Sequence, residues 1–135
     1  MTQIQRIDHI AIATRDARRA ADDFTSRFGL IEDGDEIVPA ANVRLIFLRP
    51  PNESPGFAQL QFCEPVGPGP MQDHIDASGE GLHHICFAVD DIHDAVRQFG
   101  LGDRGIFLGG RSKLACFLGE SPLSVNIELT ESAPR

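Results

Sequence analysis

The sequence predicts an α+β fold made of two tandem modules, each running strand, helix, strand, strand, strand, with one mixed sheet built across a pseudo-twofold. Three observations carry this. First, DHIAIATRDARRAADDF (residues 8–24) lines up without a gap on HHICFAVDDIHDAVRQF (residues 83–99), so that His9 falls on His84, Asp16 on Asp91 and Phe24 on Phe99. Second, the later parts also correspond: VRLIFLRP (43–50) with KLACFLGE (113–120), and LQFCE (60–64) with IELTE (127–131). Third, the chain has 135 residues, enough for one domain with a real core and too few for two ordinary ones. A repeat this long is no solenoid unit and fits two fused half-domains. Module 1 is placed at about residues 4–66, a linker at 67–80 and module 2 at about 81–131.

Each element has a local reason. In the first helix Ala17, Ala20, Ala21, Phe24 and Phe28 follow the i, i+3, i+4 stripe of an amphipathic helix, and Ile92, Ala95, Val96 and Phe99 do so in the second. Asp16 and Asp91 are N-cap candidates, and Gly29 and Gly100 fit the helix ends. RPPNESPG (49–56) reads as a Pro-rich loop between strands. VGPGPMQDHIDASGEG (66–81) links the modules and has room for a short helix after Pro70.

Composition narrows the function classes. A content of 41% hydrophobic and 24% charged residues is that of a soluble globular protein. No apolar run approaches a membrane span, and MTQIQRID lacks the apolar core of a signal peptide, so the default expectation is a cytoplasmic protein. A net charge of -8 disfavours nucleic acid as a partner and leaves an anionic small molecule in a locally basic pocket open. Cys63, Cys86 and Cys116 form no CxxC pair and lie in apolar runs, as buried free thiols do.

Four polar residues sit at symmetric points of apolar strands. His9 and His84 match in the repeat, as do Gln61 and Glu128. Strand alternation sends Leu60, Phe62, Ile127 and Leu129 to one face, under the helices, and Gln61 and Glu128 to the other. His9 shares its face with Ala11 and Ala13, and His84 with Cys86 and Ala88, small residues that leave room for a ligand. A buried polar side chain is costly without a partner, so four at symmetric positions point to a common one. Two imidazoles, a carboxylate and an amide oxygen suit a divalent first-row metal. His83 matches Asp8 and is expected on the opposite face, in a structural or orienting role.

RIDHIAIAT, LQFCEP, GEGLHHICFAVDDI and NIELTE resemble motifs of the vicinal oxygen chelate (glyoxalase/bleomycin resistance) superfamily, most of all those of methylmalonyl-CoA epimerases. The resemblance implies two βαβββ modules curled into an open barrel around one metal, with the helices outside. It implies His9, Gln61, His84 and Glu128 as ligands of one divalent ion (Co, Mn, Ni, Zn or Fe), and Glu128 as a catalytic base. It also implies a homodimer and a small-molecule substrate, an acid or a CoA thioester, that loses a proton next to its carbonyl. The chain departs from the pattern at VPAANVRLIFL (38–48), where Ala40 and Ala41 stand in place of a second glutamate, and at FLGES (117–121), which lacks a histidine and a lysine. Asn42 and Arg44 are candidates for orienting an anionic substrate. The expected activity is that of a metal-dependent epimerase or isomerase. The alternatives are a glyoxalase I-like lyase with Glu128 removing and returning the proton, an extradiol-type dioxygenase on His9, His84 and Glu128, and a non-catalytic drug-binding protein.

Overall fold

Both long repeats form a strand that runs into a helix, and the helix starts are built alike. A computed structural model describes residues 2–52, 57–101 and 105–133; residues 53–56 of the expected Pro-rich loop lie outside the described residues. In chain order the elements are β1 (Ile4–Ala13), α1 (Ala17–Phe28), β2 (Ile31–Val38), β3 (Val43–Arg49), β4 (Gln59–Pro65), α2 (Pro70–Ser78), β5 (Gly81–Val89), α3 (Ile92–Gln98), β6 (Phe107–Leu108), β7 (Leu114–Phe117) and β8 (Ile127–Glu131). Asp16 caps α1 by accepting from the Arg19 amide, and Asp91 caps α3 by accepting from the amides of His93 and Asp94. A second pair of carboxylates completes each start. Glu64 at the end of β4 accepts from the Ala17 amide at 2.7 Å, and Glu131 at the end of β8 accepts from the Ile92 amide at 3.1 Å. These four carboxylates satisfy amides that a helix cannot pair internally, and they face the positive end of its dipole.

The strands form one sheet in the order β2-β3-β4-β1-β5-β8-β7-β6. β1 pairs parallel with β4 and β5 parallel with β8, whereas the other ladders are antiparallel. The order is the same from each edge to the centre, so the sheet has a pseudo-twofold at the β1–β5 seam. This is the expected mixed α+β sheet, curled into a half-barrel.

Alternation decides what each face buries. On the outer face, Ala17 and Ala21 of α1 pack on Ile46, Leu48 and Phe62, and Ile92, Ala95 and Val96 of α3 pack on Cys116 and Leu129. The inner face carries Ala11, Ala13, Val43, Leu45, Phe47 and Cys63, covered in part by Met71 and Ile75 of α2. α2 therefore sits on the concave side, unlike α1 and α3. None of the helices among the described residues is long and apolar enough to cross a membrane.

Leu129 is fully buried between β8 and α3, whereas Leu123 is 95% exposed. Leu129→Ala is expected to cost about 2–5 kcal/mol in equilibrium urea unfolding, and Leu123→Ala less than about 0.5 kcal/mol. Equal effects would contradict the packing described.

Candidate metal and active site

Register explains why the four symmetric polar residues line one cavity. Across β4, β1 and β5, Gln61 pairs with Ala11 and Ala11 with His84. Across β1, β5 and β8, His9 pairs with Cys86 and Cys86 with Glu128. Each row has a small residue at its centre, flanked by two long polar ones. The curl of the sheet tips these flanking side chains toward one another above Ala11 and Cys86. His9 Nε2 and His84 Nε2 lie 3.3 Å apart, and each is 3.2 Å from Glu128 Oε1. His9, His84 and Glu128 are 5, 7 and 8% exposed. Gln61 lines the same cavity, with its Oε1 accepting from the Cys63 thiol at 3.2 Å.

Two of the three slips in the seam set the ring orientations. The β1–β5 ladder steps from Ile7/Phe87 to His9/Cys86 and from Ala11/His84 to Ile12/Leu82. Asp8 is the extra residue in the first step and His83 in the second. Such bulges re-aim side chains, and both Asp8 and His83 line the cavity beside the histidines they precede. Strict alternation placed His83 on the opposite face; the bulge overturns that expectation. Asp8 Oδ2 accepts from His9 Nδ1 at 2.8 Å, and His83 Nδ1 lies 2.7 Å from His84 Nδ1. In both halves the residue before the histidine holds its Nδ1 and leaves Nε2 facing the cluster.

Electrostatics keep the charges in place. Burial alone would raise the Glu128 carboxyl, but hydrogen bonds from His84 and His9 outweigh it and hold the group at about 2. His9 is raised: burial opposes the charge, and the carboxylates of Asp8 and Glu128 more than offset that. Burial, with repulsion from His84 and His74, pushes His83 down to about 4, which keeps it neutral at pH 7. Two imidazole nitrogens and an ionised carboxylate oxygen converging in a buried pocket fit a divalent metal ion. Asp8, His9 and Cys86 also approach one another, but burial pushes the Cys86 thiol far up, which disfavours a thiolate ligand. All three cysteines are buried and free.

The cavity holds about 450 Å³. Its mouth is crossed by the turn Gly110–Ser112 of module 2, where Arg111 has a left-handed φ of 58°. The Arg111 amide donates to Glu36, its guanidinium donates to Gln59 at 2.8 Å and lies 3.9 Å over the Phe47 ring. A Cβ at Gly110 would come within 2.8 Å of the end of the Leu45 side chain and 3.2 Å of Glu36 Oε1, so the turn passes close over β2 and β3. Arg111 and Lys113 are the cations lining the cavity among the described residues. Sequence reasoning missed both; the glycine pair before Arg111 was the available signal.

Asn42 and Arg44 are placed outside the cavity lining. Val43, Leu45 and Phe47 face inward, so alternation turns Arg44 outward, where it holds Asp35 through two hydrogen bonds of 2.9 and 2.7 Å. Asn42 ends the turn Pro39–Ala41 with a φ of 51° and donates its amide to the Pro68 carbonyl, tying that turn to the linker.

Because Glu128 lies below its ordinary 4.5, its pairing contributes stability in full above that pH and loses it as pH falls toward 2. In chelator-treated protein, urea midpoints are expected to fall more steeply between pH 5 and pH 3 for the unmodified chain than for Glu128→Gln. Parallel curves would show that the carboxyl is not held ionised.

A family profile described as the Glyoxalase/Bleomycin resistance protein/Dioxygenase superfamily matches residues 8–117. The chain is 31% identical over 137 residues to the mitochondrial methylmalonyl-CoA epimerase of Dictyostelium discoideum, covering 95% of this chain and 77% of that protein. It is 29% identical over 123 residues to an ethylmalonyl-CoA/methylmalonyl-CoA epimerase of Cereibacter sphaeroides, covering 85% and 88%. Among solved structures, a variant of Streptomyces coelicolor methylmalonyl-CoA epimerase in complex with 2-nitronate-propionyl-CoA superposes with a TM-score of 0.84 at 28% identity, covering 97% and 99%. With its paired modules, its curled sheet and its histidine–carboxylate cluster, the chain belongs to the Glyoxalase/Bleomycin resistance protein/Dioxygenase superfamily, and its relatives include methylmalonyl-CoA epimerases.

Proposed function

We propose that this protein is a metal-dependent epimerase or isomerase that removes the proton next to the carbonyl of a small acid or CoA thioester. The observation that carries the reading is the convergence of His9, His84 and Glu128 in a cavity large enough for an acyl group, in a chain whose relatives are methylmalonyl-CoA epimerases. His9, His84 and Glu128 would hold the ion, with Gln61 the fourth candidate in the same cavity. When bound, a divalent ion supplies Lewis-acid stabilisation of the negative charge that develops on a carbonyl oxygen.

The chain's own residues do the rest. Glu128 is the base: its depressed pKa keeps it ionised at neutral pH. Its Oε1 is the oxygen that meets both imidazoles, which leaves Oε2 for the proton. Asp8 and His83 hold the imidazoles in register. Arg111 and Lys113 are the cations of the cavity lining, each beside a carboxylate: Arg111 is 3.3 Å from Asp33 and Lys113 is 3.9 Å from Asp8. The other acid lining the cavity among the described residues is Asp8, which is bonded to His9 and Arg6. Ala40 and Ala41 offer no carboxylate. One base, Glu128, therefore removes and returns the proton in this reading; returned to the face it left, the proton gives isomerisation or exchange, and inversion at the α-carbon requires the enolate to turn over in the cavity first.

The test is solvent-deuterium incorporation at the α-carbon of methylmalonyl-CoA, followed by mass spectrometry. Exchange is expected with a divalent ion, lost on chelation, and slowed by about 10²–10⁴-fold in Glu128→Gln. Undiminished exchange in a Glu128→Gln protein that still binds the ion would remove Glu128 as the base. A second reading rests on the same cluster, since two histidines and one carboxylate also suit iron(II) with open positions. Oxygen uptake with a catechol and iron(II) would favour it.

A further inference from the structure

The two histidines of the cluster are held unequally. Behind His9 stands the carboxylate of Asp8, itself anchored by Arg6 at 3.1 Å and Lys113 at 3.9 Å. Behind His84 stands the ring of His83, with the two Nδ1 atoms 2.7 Å apart. A carboxylate offers two oxygens and tolerates some tilt, whereas an imidazole offers one nitrogen in its own plane. His83 therefore orients His84 only while its own ring is fixed. Its backbone is fixed at the bulge, where its carbonyl accepts from the Asn126 side-chain amide at 3.2 Å. Its ring meets that of His74 edge to face, with centroids 4.5 Å apart and planes at 84°. Phe117 stands farther from His83, at 6.3 Å, and packs more closely on His84, at 5.1 Å. His74 comes from α2, the linker helix, whose Met71 and Ile75 are buried in the inner core. It is half-buried and outside the cavity lining, so its role runs through His83.

We infer that His74 is a positioning residue: packed on His83, it fixes the ring that orients His84, so the linker helix sets the direction of one ligand of the candidate metal centre. This rests on the reading that His9, His84 and Glu128 hold an ion. Groups behind a metal ligand govern affinity by holding the ligand in place before the ion arrives. The contact at His74 is one of ring on ring, so position 74 needs an aromatic edge or face and not a histidine as such. Phenylalanine there keeps the role, and alanine loses it.

The experiment has two readouts, each on the unmodified protein, His74→Ala, His74→Phe and Ile75→Val. The last trims the packing of the same helix on the core. Cobalt(II) affinity is measured by competition with a chromophoric chelator. It is expected to fall about fivefold to tenfold in His74→Ala and to stay within about twofold in the other two. In metal-free protein, the imidazole C–H signals of His84 are followed by NMR; its ring neighbours are His9, His83 and Phe117. They are expected to broaden or split in His74→Ala and to stay single in His74→Phe. If His74→Ala fails to fold, His74→Leu fills the space without a ring and takes its place. Equal cobalt affinity in the unmodified protein and His74→Ala overturns the inference and leaves the metal centre standing. A loss in Ile75→Val as large as in His74→Ala also overturns it, since helix docking alone then suffices. If the unmodified protein binds no cobalt, the metal centre is removed; altered His84 signals in His74→Ala then support the positioning, and unaltered ones remove it too.

Discussion

Two one-residue slips in the β1–β5 ladder govern the site. A regular ladder would send Asp8 and His83 to the outer face and leave His9 and His84 without a group at Nδ1. The bulges at Asp8 and His83 bring each residue and the following histidine to the same cavity. The imidazole orientations follow from this, as does the meeting of both Nε2 atoms with Glu128. The pseudo-twofold makes the device symmetric in place while its chemistry differs. Module 1 holds its histidine with a carboxylate, and module 2 holds its own with a neutral histidine.

That asymmetry matters for charge. Half-buried Asp8 and buried Glu128 bring two acids to the cluster, and such groups are costly without cations nearby. Lys113, 3.9 Å from Asp8, and a raised His9 meet part of that need, and a divalent ion would meet the rest. The cationic turn at Arg111 also joins module 2 to Glu36, Gln59 and Phe47 of module 1. One short turn thus ties the two edges of the half-barrel across the cavity.

Much of this was legible in the sequence, for local reasons. The helix stripes and the Asp16 and Asp91 caps depend on neighbours within a turn, and the structure has them where the pattern puts them. His9, Gln61, His84 and Glu128 stood out because the repeat paired them. Arg44 lies outside the cavity lining because its face depends on the phase of β3, which Val43, Leu45 and Phe47 set by burying inward. Asn42 belongs to turn chemistry, with a left-handed backbone that asparagine tolerates. The bulges left no glycine or proline to mark them, so His83 was assigned to the wrong face. Arg111 was invisible because its neighbours Glu36, Gln59 and Phe47 lie far away in the chain and meet it only through the curl of the sheet.

The central claim is that the cluster at the β1–β5 seam is a metal centre. X-ray absorption spectroscopy of protein loaded with one equivalent of cobalt(II) tests it most directly. The account predicts a first coordination sphere with two imidazole nitrogens and at least one carboxylate oxygen, reduced by one imidazole in His84→Ala. A sphere of oxygen donors alone, unchanged in His84→Ala, would place the ion elsewhere and contradict it.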